Sequence, residues 1–198
     1  MAKEFKPSDY KITEKEPVYE GAHSDIEAVS VSIGNHEVPL LRKKHKGYSI
    51  EFMGGPNAHS ALKEKGYPVL PTWRYDEESE TEYVTDLRRD GTHTVIDFCR
   101  NQDYSEKINI SNYGELEKDA EALLSKLSDD GIIINEPNIF FDVEKSTGIT
   151  KIILGDLREM GAEIDDDNVY TRDQIYTHNK SIIEGHMSRL RSTLVDKG

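Results

Sequence analysis

Two short apolar runs separated by a glycine-containing turn constrain the fold of this chain most strongly. The runs span residues 139–143 and 149–154, and the turn EKSTG between them ends in Gly148. Because glycine tolerates the positive φ that a tight hairpin turn demands, the stretch predicts an antiparallel β-hairpin. Asn138 precedes the first run and Asp156 follows the second. Antiparallel pairing would bring this amide and this carboxylate to the same end of the hairpin, where their oxygens could share a Mg²⁺ ion.

A long amphipathic helix is predicted just before the hairpin. Asn112, followed three residues later by Glu115, is typical of a capping box at a helix start, and Gly131 is suited to the left-handed position that ends a helix. A second capping box, Thr171 with Gln174, predicts the start of a final long helix. The first helix has one apolar face, formed by residues with helical spacing: Leu116, Ala120, Leu123, Leu124 and Leu127.

Alternating polarity and turn residues predict a strand-rich first half. Pro39 in the third strand is expected to place that strand at a sheet edge, because proline cannot donate a ladder hydrogen bond. A short helix over 58–65, begun by Asn57 and stopped by Gly66, separates the third and fourth strands. Together with the later helices, this predicts an α+β fold. The five predicted strands span 10–19, 26–33, 37–41, 67–75 and 81–87.

Composition excludes several classes of protein. The chain has 25 basic and 38 acidic residues, and the resulting net charge of −13 would repel a nucleic-acid backbone. Cys99 is the only cysteine, so the chain has no intrachain disulfide and no zinc site built on paired cysteines. No apolar run approaches the length of a membrane span, and the first residues lack a signal-peptide core. We therefore expect a cytoplasmic protein that contacts neither membranes nor nucleic acid directly.

The order of these elements resembles the protein-kinase-like superfamily, in which a metal-binding Asn and Asp flank a hairpin. Asn138 and Asp156 match those two positions, with Gly155-Asp156-Leu157 standing where the family has Asp-Phe-Gly. The resemblance rests on the order of elements over most of the chain. It implies one kinase-like domain over 1–198, with an antiparallel-sheet N-terminal lobe at 10–87 and a truncated, mainly helical C-terminal lobe at 88–198.

The resemblance also implies a site for ATP and Mg²⁺. Either Arg42 or Lys43 takes the place of the family's phosphate-binding lysine on the third strand, and Glu64 would hold that base by an ion pair. The metal ligands implied are Asn138 and Asp156. The resemblance places four groups of residues around the nucleotide. They are a turn of small residues (Gly21, Ser24), the basic residue of the third strand (Arg42 or Lys43), the acidic residue of the short helix (Glu64) and a hinge whose backbone would bind adenine (Thr85, Asp86, Leu87).

The position of the catalytic base departs from the family pattern. Ile133 lies five residues before Asn138, where the family has an aspartate, and Glu136 is the nearest carboxylate that could serve instead. We therefore expect a pseudokinase-like protein that acts mainly through contacts with a protein partner, with Mg-ATP as a candidate ligand. Two alternatives stay open: an active small ATP-dependent phosphotransferase that uses Glu136, and an acidic α+β interaction domain unrelated to kinases.

Overall fold

The fold combines helices with two antiparallel sheets, which confirms the predicted α+β class. The chain divides into two compact units, the first made of 1–50 and 71–90 and the second of 51–70 and 91–198. The boundary near residue 90 lies close to the predicted one at 87/88, but 51–70 falls in the second unit. The computed structural model describes residues 11–20, 24–33, 36–46, 61–70, 72–76, 81–88, 91–99, 107–155 and 170–194.

The first unit contains a five-stranded sheet in the order β1-β2-β3-β5-β4. Apolar residues at alternate positions of neighbouring strands share one face of this sheet, because successive side chains of a strand point to opposite faces. They form a small core of Val29, Val31, Leu40 and Tyr83. Its strands are β1 (Lys11–Glu20), β2 (Ser24–Ile33), β3 (His36–His45), β4 (Thr72–Asp76) and β5 (Thr81–Thr85).

Pro39 does not mark a sheet edge, contrary to the prediction. Strand β3 is interior, paired with β2 on one side and with β5 on the other. The β3–β5 ladder begins at Leu40, so Pro39 lies one residue beyond it, and its carbonyl accepts a hydrogen bond from the backbone N–H of Asp86 at 3.4 Å. The backbone nitrogen of Pro39, which has no hydrogen to donate, therefore lies past the end of the β3–β5 ladder. Its lack of a donor breaks no hydrogen bond of that ladder.

The strand predicted over 67–75 is divided between the two units. Only its second part joins the first sheet, as β4. Tyr67 is instead buried in the core of the second unit, and Val69 forms a parallel bridge with Leu154. The apolar side chains at the start of this segment thus pack in the second unit, against residues distant in sequence.

The second unit packs two helices against a three-stranded sheet in the order β6-β7-β8. A helical stretch at 61–64 and a 3₁₀ turn, Glu136–Asn138, belong to the same unit. No helix in the described ranges has the length and apolar character needed to cross a membrane. The elements are β6 (His93–Ile96), α1 (Tyr113–Asp129), β7 (Ile139–Glu144), β8 (Thr150–Leu154) and α2 (Arg172–Ser192). Its most deeply buried apolar residues include Ile96, Leu116, Leu127, Phe141, Leu154 and Leu190.

The start of α1 differs from the prediction. Asn112 is the N-cap residue, but its side chain makes no capping hydrogen bond. Its Nδ2 instead donates to the carbonyl of Thr150 at 2.9 Å, and its Oδ1 accepts from the N–H of Thr150 at 2.8 Å. The side-chain amide of Asn112 therefore bonds to the backbone of β8 and does not cap the helix. The local sequence pattern could not indicate this partner. The second predicted capping box, between Thr171 and Gln174, does form at the start of α2.

The end of α1 follows the prediction. Gly131 adopts a φ of +70°. Its N–H donates to the carbonyl of Ser128 at 3.3 Å, and the next N–H, that of Ile132, donates to the carbonyl of Leu127 at 2.8 Å. These two bonds form a Schellman motif, which satisfies carbonyls that the helix itself leaves free.

Candidate functional site

The β7–β8 hairpin forms with the predicted geometry. Ile139 lies opposite Leu154, and the turn contains Gly148 at a φ of +71°. At the open end, the N–H of Gly155 donates to the backbone carbonyl of Asn138 at 3.0 Å, and Asn138 Nδ2 donates to the carbonyl of Gly155 at 3.1 Å. Asp156, the next residue along the chain, lies outside the described residues. Its sharing of a metal with Asn138 therefore stays a prediction.

Asn138 is fully buried and hydrogen-bonded through both ends of its amide. Its Oδ1 accepts from the backbone N–H of Asn135 at 2.7 Å, while its Nδ2 bonds to Gly155. Asn135 is the N-cap of the 3₁₀ turn, so the first bond closes that turn and the second fastens it to the hairpin. The side chain that the sequence offers as a metal ligand thus has a structural role.

A second buried amide, Asn179 on α2, holds the segment that leads into this turn. Its Oδ1 accepts from the N–H of Ile134 at 3.0 Å, and its Nδ2 donates to the carbonyl of Ile132 at 2.7 Å. The half-buried Ile133 between them is the residue at the expected base position. Sequence analysis missed Asn179, although it occupies the apolar stripe of its helix, four residues after Ile175. A polar residue in such a stripe needs buried partners, which is a usable signal.

Glu136, the alternative base, is exposed. Its nearest described cation is Arg189, with Oε1 and Nη2 at 3.9 Å and side-chain exposures of 53% and 49%. An ion pair this exposed and this long orients a carboxylate weakly. Action of Glu136 as a base stays a prediction.

Arg42 and Lys43 point to opposite faces of the first sheet, because they are neighbours on β3. Arg42 lies opposite Glu27 and Tyr83, and its guanidinium forms an ion pair with the Glu27 carboxylate. Lys43 lies opposite Glu82 on the other face. Arg42 is therefore the candidate on the face that carries the apolar core of the first unit.

The expected hinge is held by side chains as well as by its backbone. Asp86 is buried, and its carboxylate receives hydrogen bonds from Nε and Nη2 of Arg88 at 3.0 and 2.7 Å. The bond to Asp86 raises the pKa of the Arg88 guanidinium. Thr85 ends β5 and Leu87 is buried. The side chain of Asp86 thus fixes the turn after β5, while adenine recognition by the backbone stays a prediction.

Three residues of the predicted nucleotide site remain to be located: Glu64, Ser24 and Gly21. Glu64 is exposed on the helical stretch of the second unit, and its pairing with a strand base stays a prediction. Ser24 begins β2. Gly21 lies outside the described residues.

The structure also pairs two residues that sequence analysis left unassigned. His93 Nδ1 lies 2.6 Å from Asp142 Oδ1, and both side chains are largely buried. Because Phe141 and Val143 face the core, the intervening Asp142 lies on the opposite face of the sheet. The carboxylate fixes the orientation of the imidazole. Within the described ranges, no three His, Cys, Asp or Glu side chains are grouped to hold a metal ion.

Comparison with protein-family models gave no match to this chain, and no curated protein matches it. The resemblance to the protein-kinase-like superfamily therefore rests on the order of elements and on the residues described above.

Proposed function

We propose that this chain is a pseudokinase-like protein that acts mainly through contacts with a protein partner and binds Mg-ATP as a ligand. The observation that carries the proposal is the junction between Asn138 and Gly155 at the open end of the β7–β8 hairpin. It holds the proposed metal-binding amide at the end of the hairpin where the chain continues into Asp156. On this proposal the first unit corresponds to the N-terminal lobe and the second to a truncated C-terminal lobe.

The environment of the expected base favours binding over catalysis. Ile133 occupies the base position, and its segment is fixed through the two backbone bonds to Asn179. Glu136 would have to act from an exposed position, where the described residues offer it a long ion pair to Arg189 at 3.9 Å. Phosphoryl transfer depends mainly on positioning and charge stabilisation. On this proposal, with Asn138 and Asp156 as metal ligands and Ile133 at the base position, the chain is suited to hold a nucleotide without transferring phosphate efficiently.

On this proposal Arg42, in the first unit, is the phosphate-binding base. Arg42 projects from the face of β3 that carries Leu40, and Glu27 on the neighbouring strand pairs with it. Glu27, a residue of the same sheet, thus forms the ion pair that the resemblance assigns to Glu64 on the short helix. Arginine suits such a role because its planar guanidinium can bind two phosphate oxygens at once.

The charge of the chain favours a basic protein partner. The net charge of −13 steers oppositely charged proteins toward it and keeps acidic ones away. Helix α1 displays several of these acids on its exposed side: Glu115, Asp119, Glu121 and Asp129.

Thermal unfolding with and without Mg-ATP tests the nucleotide part of the proposal. With ATP at about 100 times its dissociation constant, we expect stabilisation of about 2.7 kcal/mol, which raises Tm by roughly 5–10 °C for a chain of this size. Asp156→Ala should lose the Mg-dependent shift, whereas the matched control Asp119→Ala, on the exposed side of α1, should keep it.

The same samples distinguish the alternatives. Incorporation of γ-phosphate into an acceptor, lost in Asp156→Ala, would replace the proposal with an active phosphotransferase. If Tm stays constant at every nucleotide concentration, the nucleotide part fails and an interaction domain unrelated to kinases is favoured.

A further inference from the structure

Helix α2 carries a buried histidine, His186, which is only 2% exposed. Among the residues that the structure describes, none forms a hydrogen bond with either of its ring nitrogens. Buried polar groups are nearly always bonded, because an unpaired one loses its hydration without compensation. The absence of partners at this position therefore calls for a physical explanation.

The surroundings of His186 suit a neutral ring. The ring centroids of Phe98 and Phe141 lie 6.1 and 6.5 Å from that of the imidazole. The two phenyl rings are themselves 6.1 Å apart in an edge-to-face arrangement. These three residues form an aromatic cluster that joins α2 to β7 and to the turn after β6. In this cluster the imidazole acts as a flat, mostly apolar filler.

Two charged residues face the ring. Arg189 lies one turn further along α2, and Glu136 comes from the 3₁₀ turn; the carbonyl of Glu136 faces the ring without bonding to it. Burial lowers the pKa of His186, and the positive charge of Arg189 lowers it further, while Glu136 partly offsets both.

Charged residues on the other elements packed around the aromatic cluster have described bonding partners other than His186. On β7, Asp142 is paired with His93 on the far face of the sheet. In the turn after β6, the carboxylate of Asp97 accepts the N–H of Cys99. On α1, Glu117 is bonded to Arg191.

We propose that His186 is a pH-sensitive contact that holds α2 against β7 and the Glu136 turn only while its ring is neutral. A proton would place a second cation beside Arg189 within an aromatic pocket. Among the described residues, Glu136 favours the protonated ring through its charge and a backbone group. Protonation therefore drives the ring out of the aromatic cluster and loosens this end of the helix. The proposal is independent of nucleotide binding.

The direction of the pH effect follows from linkage. A histidine in the unfolded chain titrates near pH 6.5, whereas folded His186 resists protonation to a lower pH. Below about pH 6.5 the unfolded state therefore binds more protons than the folded state. The folding equilibrium constant should fall as the pH drops, by up to about tenfold per pH unit, until the pH reaches the folded pKa.

Urea unfolding between about pH 5 and pH 7.5 tests this proposal. The wild type should lose stability below about pH 6.5 more steeply than His186→Phe and His186→Leu, which keep an apolar side chain at this position. Ser181→Ala is the control for substitution in this helix, because Ser181 is exposed and does not titrate in this range, and it should keep the wild-type slope.

An NMR titration of the native protein makes the test independent of the folding of the variants. The imidazole of His186 should titrate below its ordinary pKa, together with a loss of amide exchange protection in α2 and β7. Equal pH slopes in the wild type and both His186 variants would overturn the proposal. Titration of His186 at or above about pH 6.5 would overturn it as well.

Discussion

Replacing Asn138 with alanine is expected to lower the free energy of unfolding by about 3–4 kcal/mol. The change leaves the part-buried N–H of Asn135 and the buried carbonyl of Gly155 without their side-chain partners. Each buried group left unpaired costs about 1–3 kcal/mol. Urea unfolding in EDTA without nucleotide measures the loss. Asn109→Ala, at an exposed asparagine, should change stability by less than about 0.5 kcal/mol.

The same variant separates a structural amide from one that serves only as a metal ligand. If Asn138 were a ligand alone, its alanine variant would unfold like the wild type in EDTA and would lose only the shift caused by Mg-ATP. Asn138→Asp gives a second comparison, because its carboxylate can still accept from Asn135 but cannot donate to Gly155. We expect this variant to be destabilised as well, since it directs an oxygen at a carbonyl.

Gly148→Ala should destabilise the chain by about 3 kcal/mol or more, for two separate reasons. The φ of +71° is unfavourable for any residue with a Cβ and costs about 1–2 kcal/mol. In addition, a Cβ would lie 2.7 Å from the backbone oxygen of Asn109 and 3.2 Å from the nitrogen of Ser111. These are main-chain atoms, so the 109–111 segment would have to move. That movement would strain the bond from Ser111 N–H to the Gly148 carbonyl, now 2.9 Å long.

Gly131→Ala is the matched control for that substitution. Gly131 has nearly the same φ, +70°, but a Cβ there would have no neighbour within 4 Å. It should therefore show the backbone cost alone, about 1–2 kcal/mol. The difference between the two variants in urea unfolding measures the crowding at Gly148. If both variants lose the same free energy of unfolding, the 109–111 segment moves away from the new Cβ at Gly148 without a cost in stability.

Features that depend on neighbouring residues could be predicted from the sequence. The β7–β8 hairpin is encoded by two apolar runs and one glycine, all within 16 residues, and both its pairing and the φ of Gly148 are confirmed. The Schellman end of α1 is local in the same sense. In each case the residues that determine the conformation are adjacent along the chain, so their pattern is visible without a fold.

Features that depend on distant partners could not be predicted. Asn112 has the local signature of a helix cap, yet its amide bonds to Thr150, 38 residues away. Pro39 is tolerated in an interior strand because the β3–β5 ladder ends just before it, and that end is set by the register of the two strands. Residues 67–70 read as the start of a strand, but their partner is Leu154 of the second unit.

The candidate site was predicted in the same uneven way. Asn138 follows from the hairpin, and its position at the open end is confirmed. Its structural hydrogen bonds, and those of Asn179, depend on how α2 packs on the 132–134 segment. The pairing of His93 with Asp142 needs the β6–β7 register across 49 residues, and neither residue belongs to a motif.

The amide of Asn112 has a consequence for association between copies of the chain. Strand β8 is the last strand of its sheet, and the backbone groups of Thr150 and Leu154 point away from β7. Those of Thr150 are occupied by Asn112, and those of Leu154 by Pro68 and Leu70. By the alternation of a strand, the remaining outward groups belong to Ile152. Along this edge of β8, an incoming strand would therefore find only the backbone groups of Ile152 outside the described hydrogen bonds. This arrangement protects the edge from the strand pairing between molecules that leads to aggregation.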